Sequence, residues 1–375
     1  MAPPIKVLQF ICSTGFYGAE RWILALAQYL DPSQVQCELA VTAEAQNADL
    51  QLVKEYQKTG QATHAIPMSS RFDLRAIRRL ADVLTSQRFD LIHTHGYKSD
   101  ILGILAARRA GIPVIVTPHG FENARDIKLR LFVWLGCKFM RYADCVVPLS
   151  PQLMDDARRH GVPGARLTYI QNVVNLKEVE AIAQNPAAAA PKQKKRIGFI
   201  GQLISRKNLG EMLDIFATLR QSRDDVELIL VGDGEECAKL QAHAARLPCA
   251  ADIHFLGFRD DRLQLLKSFD VFTMTSTLEG IPRCLMEAAA MGVPVAAYDI
   301  PGIDQLIQHR HTGLLAPAGD KAALQAHWNT LLDHPDFGQT LTKAGLDFVH
   351  QQYSAKRMAE EYTQLFQRIR EAIRA

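Results

Sequence analysis

Short apolar runs alternate with helical patterns along the whole chain, and this alternation limits the possible folds more than any other feature. Such runs are typical of strands buried on both faces, and helices between consecutive strands make those strands parallel. We therefore predict an α/β protein built from two doubly wound, Rossmann-like sheets. In the first half the predicted strands cover residues 7–12, 37–42, 91–95, 114–118, 145–149 and 167–171. In the second half they cover residues 197–201, 227–231, 253–256, 271–276 and 293–298.

A low-complexity basic stretch, residues 185–196, separates the two halves and is typical of a linker. A chain of 375 residues is long enough for two domains. We predict a first domain over residues 1–185, a second over 186–354, and a terminal helix over 355–375. Apolar residues recur at helical spacing in this last segment (Met358, Tyr362, Leu365, Phe366 and Ile369), which predicts an amphipathic helix.

Composition excludes several classes of protein. The formal net charge is only +3 and no basic run is long enough for a binding arm, so nucleic acid is not an expected partner. Seven cysteines without a Cys-x-x-Cys pair indicate reduced thiols. The apolar run at residues 7–12 is too short for a secretion signal, and no apolar stretch is long enough to span a bilayer. We therefore expect a cytoplasmic protein.

Two glutamates, Glu279 and Glu287, follow the strand predicted at residues 271–276. Glu279 lies in a glycine-containing turn, and Glu287 lies in a short helix predicted to begin at Pro282 and end at Gly292. The carboxyl edge of an open parallel sheet is where ligands bind. Backbone amides of the turn and first helical residues, including Gly280 and Ile281, would face the same space.

This segment resembles the retaining glycosyltransferases of family 4 (group 1), whose motif is two glutamates separated by seven residues. The resemblance continues through Gly292-Val-Pro-Val and Thr312-Gly313. It implies the GT-B architecture, in which two Rossmann-like domains face each other across a cleft, the first for the acceptor and the second for a nucleotide sugar. It also implies that the terminal helix packs back on the first domain. The alternative is a surface turn glutamate followed by a solvated helix glutamate, although an unpaired carboxylate is costly in so apolar a helix.

A phosphate site is predicted where the strand at residues 197–201 ends. Lys207 comes shortly after Gly201, at the head of a helix, where amides and the helix dipole favour anions. Lys207 matches the family's phosphate-binding lysine, but Gln202 stands where the family has an arginine. Arg206 or Arg283 could supply the missing charge. The alternative is an ordinary solvated helix start.

The resemblance places the nucleotide base beside the turn that contains Phe258 and Arg259. The glycines of Gly232-Asp233-Gly234 are expected to be structural instead, because they supply positive dihedral angles. Asp260-Asp261 is not a spaced Asp-x-Asp pair and follows a turn. We therefore expect no metal and no cofactor.

In the first domain, Gly15 and Gly18 follow the first strand and lead into a helix. They resemble the family's glycine-rich loop over the donor phosphates, although a plain tight turn is an alternative and a dinucleotide fingerprint is absent. His119 corresponds to a family histidine close to the reacting sugar, where a neutral imidazole can donate and accept; a structural histidine at a strand end is the alternative. His93 and His95 could suggest a zinc site with His119, but no cysteine or carboxylate accompanies them at ligand spacing.

A helix predicted over residues 123–142 mixes cations, such as Arg125, Lys138 and Arg141, with apolar residues such as Trp134. That mixture suits either an anionic membrane surface beside a lipid-linked acceptor or a half-buried core helix.

The resemblance implies a metal-independent hexosyltransferase of polysaccharide or lipopolysaccharide synthesis, with a UDP-sugar as the favoured donor. Transfer would be a front-face displacement in which the leaving diphosphate takes the acceptor's proton. His119, Lys207 and Glu279 would be the catalytic residues, and Glu287 would accept the ribose hydroxyls. The alternatives are a nucleotide-sugar epimerase and, because of Gln202, a non-catalytic sugar-nucleotide-binding protein.

Overall fold

The computed structural model describes residues 3–13, 15–16, 18–43, 50–70, 73–119, 127–185 and 193–374. Its chain divides into two compact units, one formed by Met1–Val173 with Ala355–Ala375 and the other by Val174–Ser354. The first boundary lies ahead of the predicted one at 185/186, because Leu176 and Val179 pack into the core of the second unit.

The described part of the first unit contains a parallel sheet of six strands in the order β3-β2-β1-β4-β5-β6. Its strands are β1 (Ile5–Ile11), β2 (Val35–Ala43), β3 (Thr63–Pro67), β4 (Leu91–His95), β5 (Val114–Val116) and β6 (Cys145–Val146). Its helices are α1 (Gly18–Tyr29), α2 (Gln51–Gln57), α3 (Arg75–Ser86), α4 (Tyr97–Ala110), α5 (Ile127–Phe139), α6 (Pro151–Arg159) and α14 (Ala355–Arg374).

The described part of the second unit has a parallel sheet in the order β12-β11-β10-β7-β8-β9. Its strands are β7 (Lys195–Ile200), β8 (Val226–Val231), β9 (Ile253–Phe255), β10 (Val271–Met274), β11 (Val295–Asp299) and β12 (Leu314–Pro317). Its helices are α7 (Leu176–Ala183), α8 (Leu209–Leu219), α9 (Cys237–Ala244), α10 (Arg262–Lys267), α11 (Arg283–Met291), α12 (Lys321–Asp333) and α13 (Pro335–Gln352).

Both sheets confirm the predicted doubly wound α/β architecture, and each reverses its strand order once. The reversal lies between β1 and β4 in the first sheet and between β7 and β10 in the second. Helices that leave neighbouring strands on opposite faces open a crevice at such a point, which is where ligands bind in open α/β sheets. We therefore expect ligands to bind at the carboxyl ends of these four strands.

Alternating residues of β1 are buried on both faces of the sheet, which explains why its run is apolar apart from Lys6 and Gln9. Leu8 and Phe10 enter the core on one face of the sheet, whereas Val7 and Ile11 enter the core on the other. The core that contains Val7 and Ile11 also includes six apolar residues of α14 (Ala355, Met358, Ala359, Tyr362, Leu365 and Phe366). The apolar face of the last helix thus packs against the first sheet.

Three predictions of secondary structure were wrong. Residues 167–171 form no strand, since only Leu167 makes an isolated bridge, to Val146. Two edge strands, β3 and β12, were missed because each is short and its residues are unevenly buried. Pro282 is the residue that caps α11, with an extended ψ of 123°, rather than its first helical residue.

Candidate functional site

Lys207 and Glu279 form a buried ion pair at the reversal point of the second sheet. Lys207 follows β7 and Glu279 follows β10, which are adjacent parallel strands. The lysine Nζ lies 2.5 Å from Glu279 Oε1, and both side chains are buried. A cation and a carboxylate are therefore held together at the sheet edge where a ligand is expected.

Local hydrogen bonds explain why Lys207 points inward. A short 3₁₀ turn, Ser205–Lys207, ends at Asn208, whose left-handed backbone (φ 51°) precedes α8. The hydroxyl of Thr275 donates to the backbone carbonyls of Lys207 and Asn208, each at 3.1 Å. This turn is thereby tied to the end of β10, and the lysine side chain is directed toward Glu279.

Glu287 lies on α11 and is 2 % exposed. Its Oε1 accepts from Arg262 Nη2 at 2.7 Å and from Arg283 Nε at 2.8 Å. Burial alone would raise the pKa of Glu287, but the two guanidinium groups outweigh that effect and hold the pKa below its usual value. The carboxylate is therefore ionised and preorganised.

Both arginines also approach Glu178 on α7, at 3.5 Å for Arg262 and 3.7 Å for Arg283. Sequence reasoning missed Arg262 and Glu178, because no local spacing relates them to Glu287. Arg283, which the sequence offers as a substitute phosphate ligand, donates through its guanidinium to Glu287 in the structure.

The remaining predicted donor-binding residues of the second unit lie in turns. Gln202 and Arg206 are exposed. Phe258 is also exposed, and Arg259 forms an ion pair with Asp261 at 2.6 Å.

Gly280, Ile281 and Pro282 connect Glu279 to α11, and this turn packs closely against Gly302. A Cβ at Gly302 would lie 1.6 Å from the Gly280 carbonyl oxygen, and the φ of Gly302 is 95°. Only glycine fits such a contact, so Gly302 supports the position of Glu279. Sequence reasoning had not assigned it this role.

Cys284 lies at the start of the same helix. Burial raises the pKa of its thiol to about 12. A thiol is nucleophilic only as the thiolate, so Cys284 is not expected to act as a nucleophile at neutral pH.

In the first unit, Gly15 lies between β1 and α1, and Gly18 is the first residue of α1, at the other reversal point. The Gly15 carbonyl accepts from Ser13 Oγ at 2.7 Å, and Ser13 Oγ lies 2.8 Å from a carboxylate oxygen of Glu20. Residues 14 and 17 of this loop lie outside the described residues.

His119 follows β5 and is half-buried. Its Nε2 lies 3.0 Å from His95 Nδ1, and His95 Nε2 lies 2.7 Å from Gln9 Oε1. Burial lowers the pKa of His119 to about 3, so its imidazole is neutral at pH 7. Across the described part of the chain, no cluster of His, Cys, Asp and Glu side chains could hold a metal ion.

The predicted basic helix is described only in part. Residues 123–126 lie outside the described residues, as do the side chains of residues 127–132. In the described remainder, Trp134 is 52 % exposed and Leu135 is 39 % exposed. The guanidinium groups of Arg108 and Arg141 lie over the Tyr142 ring, at 4.9 and 4.8 Å. None of the described helices is long and apolar enough to cross a membrane.

Comparison with known proteins gives a consistent result for both halves. The family model "Glycosyl transferases group 1" matches residues 182–347, and the model "Glycosyltransferase Family 4" matches residues 16–178. A phosphatidyl-myo-inositol mannosyltransferase of Mycobacterium leprae is 27 % identical over 343 residues, covering 88 % of each chain. A UDP-Gal:α-D-GlcNAc-diphosphoundecaprenol α-1,3-galactosyltransferase of Escherichia coli is 28 % identical over 265 residues, covering 66 % of this chain and 67 % of its own.

Among solved structures, Anabaena HepE in complex with UDP-glucose is similar with a TM-score of 0.79 and 21 % identity. The match covers 97 % of this chain and 99 % of HepE, and it establishes the likeness of fold. The two family models together extend over nearly the whole chain, one on each doubly wound half. This chain therefore belongs to the group 1 (family 4) glycosyltransferases and has their GT-B fold.

Proposed function

We propose that this enzyme transfers a hexose from a UDP-sugar to a lipid-linked or glycan acceptor, with retention of anomeric configuration and without a metal. The observation that carries the proposal is the buried Lys207–Glu279 pair at the reversal point of the second sheet. A dianionic leaving group needs a positioned cation, and a sugar needs hydrogen-bond acceptors for its hydroxyls. The pair supplies one of each.

Each unit contributes a distinct set of roles in this proposal. Lys207 stabilises the leaving diphosphate, Glu279 accepts from sugar hydroxyls, and Glu287 accepts from the ribose hydroxyls. His119 of the first unit bonds a sugar hydroxyl. The leaving diphosphate takes the acceptor's proton, which removes the need for a protein base. Cys284 is not assigned a role as a covalent nucleophile, because its thiol is protonated at neutral pH.

The other donor contacts are supporting ones. Backbone amides near Gly15, Gly18, Gly280 and Ile281 would bind oxygens of the donor, and the turn at Phe258 and Arg259 would lie beside the base. Gln202, Arg206, Pro282 and Arg283 complete the proposed donor site. Arg283 acts there through Glu287 rather than on the phosphates.

The donors and acceptors of similar proteins support the proposed donor and acceptor. HepE was solved with UDP-glucose, and the E. coli relative uses a UDP-galactose donor and a diphosphoundecaprenol acceptor. Such an acceptor lies in a membrane, and the exposed Trp134 and Leu135, a few residues before Arg141 in the chain, suit an anionic lipid surface. We propose that the enzyme works at the inner face of the cell membrane as a peripheral protein.

Two measurements test the proposal. Calorimetric titration of UDP and GDP in the presence of EDTA should show UDP binding more tightly, and binding of neither nucleotide would contradict it. Transfer from a panel of UDP-hexoses to a diphosphoundecaprenol-linked sugar should then give a product whose anomeric proton, by NMR, keeps the donor configuration. An inverted product would refute the retaining mechanism.

The exposed Gln202 favours one second candidate, a nucleotide-sugar-binding protein without turnover, because a phosphate-neutralising cation is missing there. That alternative predicts UDP-sugar binding but neither transfer nor slow hydrolysis of the donor. If this alternative is right, Gln202→Arg should restore the cation and create transferase activity. Transfer by the wild-type protein would exclude the alternative.

A further inference from the structure

A hydrogen-bonded chain of three side chains ends at His119. Gln9 lies on β1 and His95 lies at the end of β4, the two strands where the first sheet reverses. Gln9 Oε1 lies 2.7 Å from His95 Nε2, and His95 Nδ1 lies 3.0 Å from His119 Nε2. Both nitrogens of His95 are therefore used, and Gln9 and His95 are each no more than 1 % exposed.

The rings of this chain are fixed by packing. The indole of Trp22 lies 5.3 Å from the His95 ring and 5.4 Å from the His119 ring, centroid to centroid. A second pair of bonds runs beside the first, from His93 Nε2 to Thr117 Oγ1 at 2.7 Å and from Thr117 Oγ1 to the Tyr362 hydroxyl at 2.9 Å. Tilting the His95 or His119 ring out of its plane would break its contact with the Trp22 indole.

The amide of Gln9 gives the chain a direction. Its nitrogen faces Cys37 Sγ at 3.4 Å, and its oxygen faces His95. A carbonyl oxygen can only accept, so His95 Nε2 carries a proton. In a neutral ring the other nitrogen is then an acceptor, so His95 Nδ1 accepts from His119 Nε2–H. By the same reasoning, His119 Nδ1 is left without a proton.

Both rings are neutral for a physical reason. Burial, together with the neighbouring imidazoles, lowers the pKa of His95 well below its ordinary value, and burial lowers that of His119. A charged His95 ring would carry a proton on Nδ1 as well, so it could no longer accept from His119 Nε2–H.

We propose that Gln9 and His95 are positioning residues that hold His119 in its Nε2–H tautomer, so that its Nδ1 accepts a hydrogen bond from a substrate hydroxyl. The tautomer follows from the first unit alone, and only its use on a sugar rests on the proposed function. An acceptor nitrogen pairs with a neutral hydroxyl and repels a carboxylate. The sugar group it meets is therefore a hydroxyl and not the carboxylate of a uronic acid.

The tautomer can be measured without any activity. Long-range ¹H–¹⁵N correlation spectra of the full chain labelled with ¹⁵N-histidine distinguish protonated from unprotonated ring nitrogens, and loss of one set of signals in His119→Asn assigns that residue. We expect His119 to be protonated at Nε2. Protonation at Nδ1 would overturn the proposal, whether or not the protein transfers sugar.

Two variants test the role of Gln9. Gln9→Met keeps an unbranched side chain of similar length but removes the acceptor, so the His119 signals should become a mixture of tautomers. Thr117→Val is the matched control, because it breaks only the neighbouring His93–Thr117–Tyr362 bonds. Equal changes in both variants would show a packing effect and overturn the proposal; if Gln9→Met fails to fold, the wild-type spectrum still decides.

Kinetics test the final step. With the donor that the panel identifies, Gln9→Met should lower kcat/KM about three- to tenfold, the usual contribution of one neutral hydrogen bond, and leave the Kd of UDP unchanged. An unchanged kcat/KM beside a shifted tautomer would refute the role in substrate binding. Absence of transfer in the wild type would instead contradict the proposed function and leave the tautomer result standing.

Discussion

Arg262 Nη2 lies 2.7 Å from Glu287 Oε1, so the carboxylate proposed to bind ribose is held by a residue from a neighbouring helix. Arg262 lies on α10 and Glu287 on α11, and Arg283 adds a second contact to the same oxygen. Fixing one oxygen in this way orients the carboxylate before the nucleotide arrives. Preorganisation of this kind increases affinity because less freedom is lost on binding.

Glu287→Gln should therefore weaken UDP binding at least about tenfold, which corresponds to roughly 1.4 kcal/mol. Calorimetry on the purified variant would measure the loss. Glu227→Gln is a suitable control, because Glu227 on β8 also pairs with an arginine, Arg196 at 2.7 Å, but precedes the carboxyl edge of the sheet. Comparable losses in both variants would indicate a general effect on the unit and contradict the assignment.

The Lys207–Glu279 pair predicts strongly non-additive mutations. Lys207→Met leaves the Glu279 carboxylate buried without its cation, and we expect it to reduce the free energy of unfolding by about 3 kcal/mol or more. Adding Glu279→Gln should restore part of that loss, because no uncompensated charge remains. Urea unfolding of the two single variants and the double variant measures the coupling, and additive losses would argue against the pair. Transfer should fall by roughly 100-fold in Lys207→Met and should not recover in the double variant.

Gly302→Ala should destabilise the second unit more than Gly292→Ala. Both glycines have positive φ, 95° and 74°, but only at Gly302 would a Cβ meet backbone, at 1.6 Å from the Gly280 oxygen. The strain common to both sites is about 1 kcal/mol, so thermal unfolding of the two variants isolates the extra clash. Equal melting temperatures would mean that the turn after Glu279 shifts and relieves the clash at no cost in stability.

Asp100 predicts a dependence of stability on pH. It lies 1 % exposed on α4, and burial raises the pKa of its carboxyl to about 8. Because the folded state holds this proton more tightly than the unfolded state, stability should decline as pH rises from about 4 to about 8, by at most about 1.4 kcal/mol per pH unit.

Asp100→Asn should remove that decline, so the variant's advantage in melting temperature should grow between pH 5 and pH 8, about the interval between the two pKa values. Asp82→Asn, at an exposed position on α3, is the control and should run parallel to the wild type. Parallel curves for Asp100→Asn as well would show that the buried carboxyl does not titrate in this range.

The exposed Trp134 and Leu135, in the second half of α5, predict membrane binding. Trp134→Glu combined with Leu135→Glu should reduce flotation with anionic vesicles by roughly tenfold or more. Leu74→Glu alters another exposed leucine of the same unit, 71 % exposed, and should leave flotation unchanged. Equal flotation of wild type with neutral and anionic vesicles would eliminate the electrostatic part of the proposal.

The sequence predicted those parts of the fold whose signal is local. Strands such as β1 and β8 carry mostly apolar runs because both faces are buried, and they were predicted within two residues of their bounds. The edge strands β3 and β12 were missed because an edge strand needs fewer buried side chains. The run at residues 167–171 is apolar enough for a strand, but only one of its residues pairs.

In the candidate site too, local features could be predicted from the sequence and long-range contacts could not. Lys207, Glu279 and Glu287 could be predicted because each lies a fixed distance after a strand. Their partners could not, because contacts such as Arg262–Glu287 depend on how α10 packs against α11. Likewise, His95 and His119 were recognised as neighbours of a strand end, but their connection to Gln9 depends on the register between β1 and β4.

The helix α14 makes the first unit discontinuous along the chain, with the whole second unit inserted between its two segments. A ribosome releases residues 174–354 before it releases Met358, Tyr362 and Phe366, which complete one core of the first unit. The first unit therefore cannot complete this core until the whole second unit has been synthesised, and until then part of its apolar surface stays uncovered. This reverses the usual order in which the amino-terminal domain folds first, and it makes the nascent first unit the part that depends on protection from aggregation.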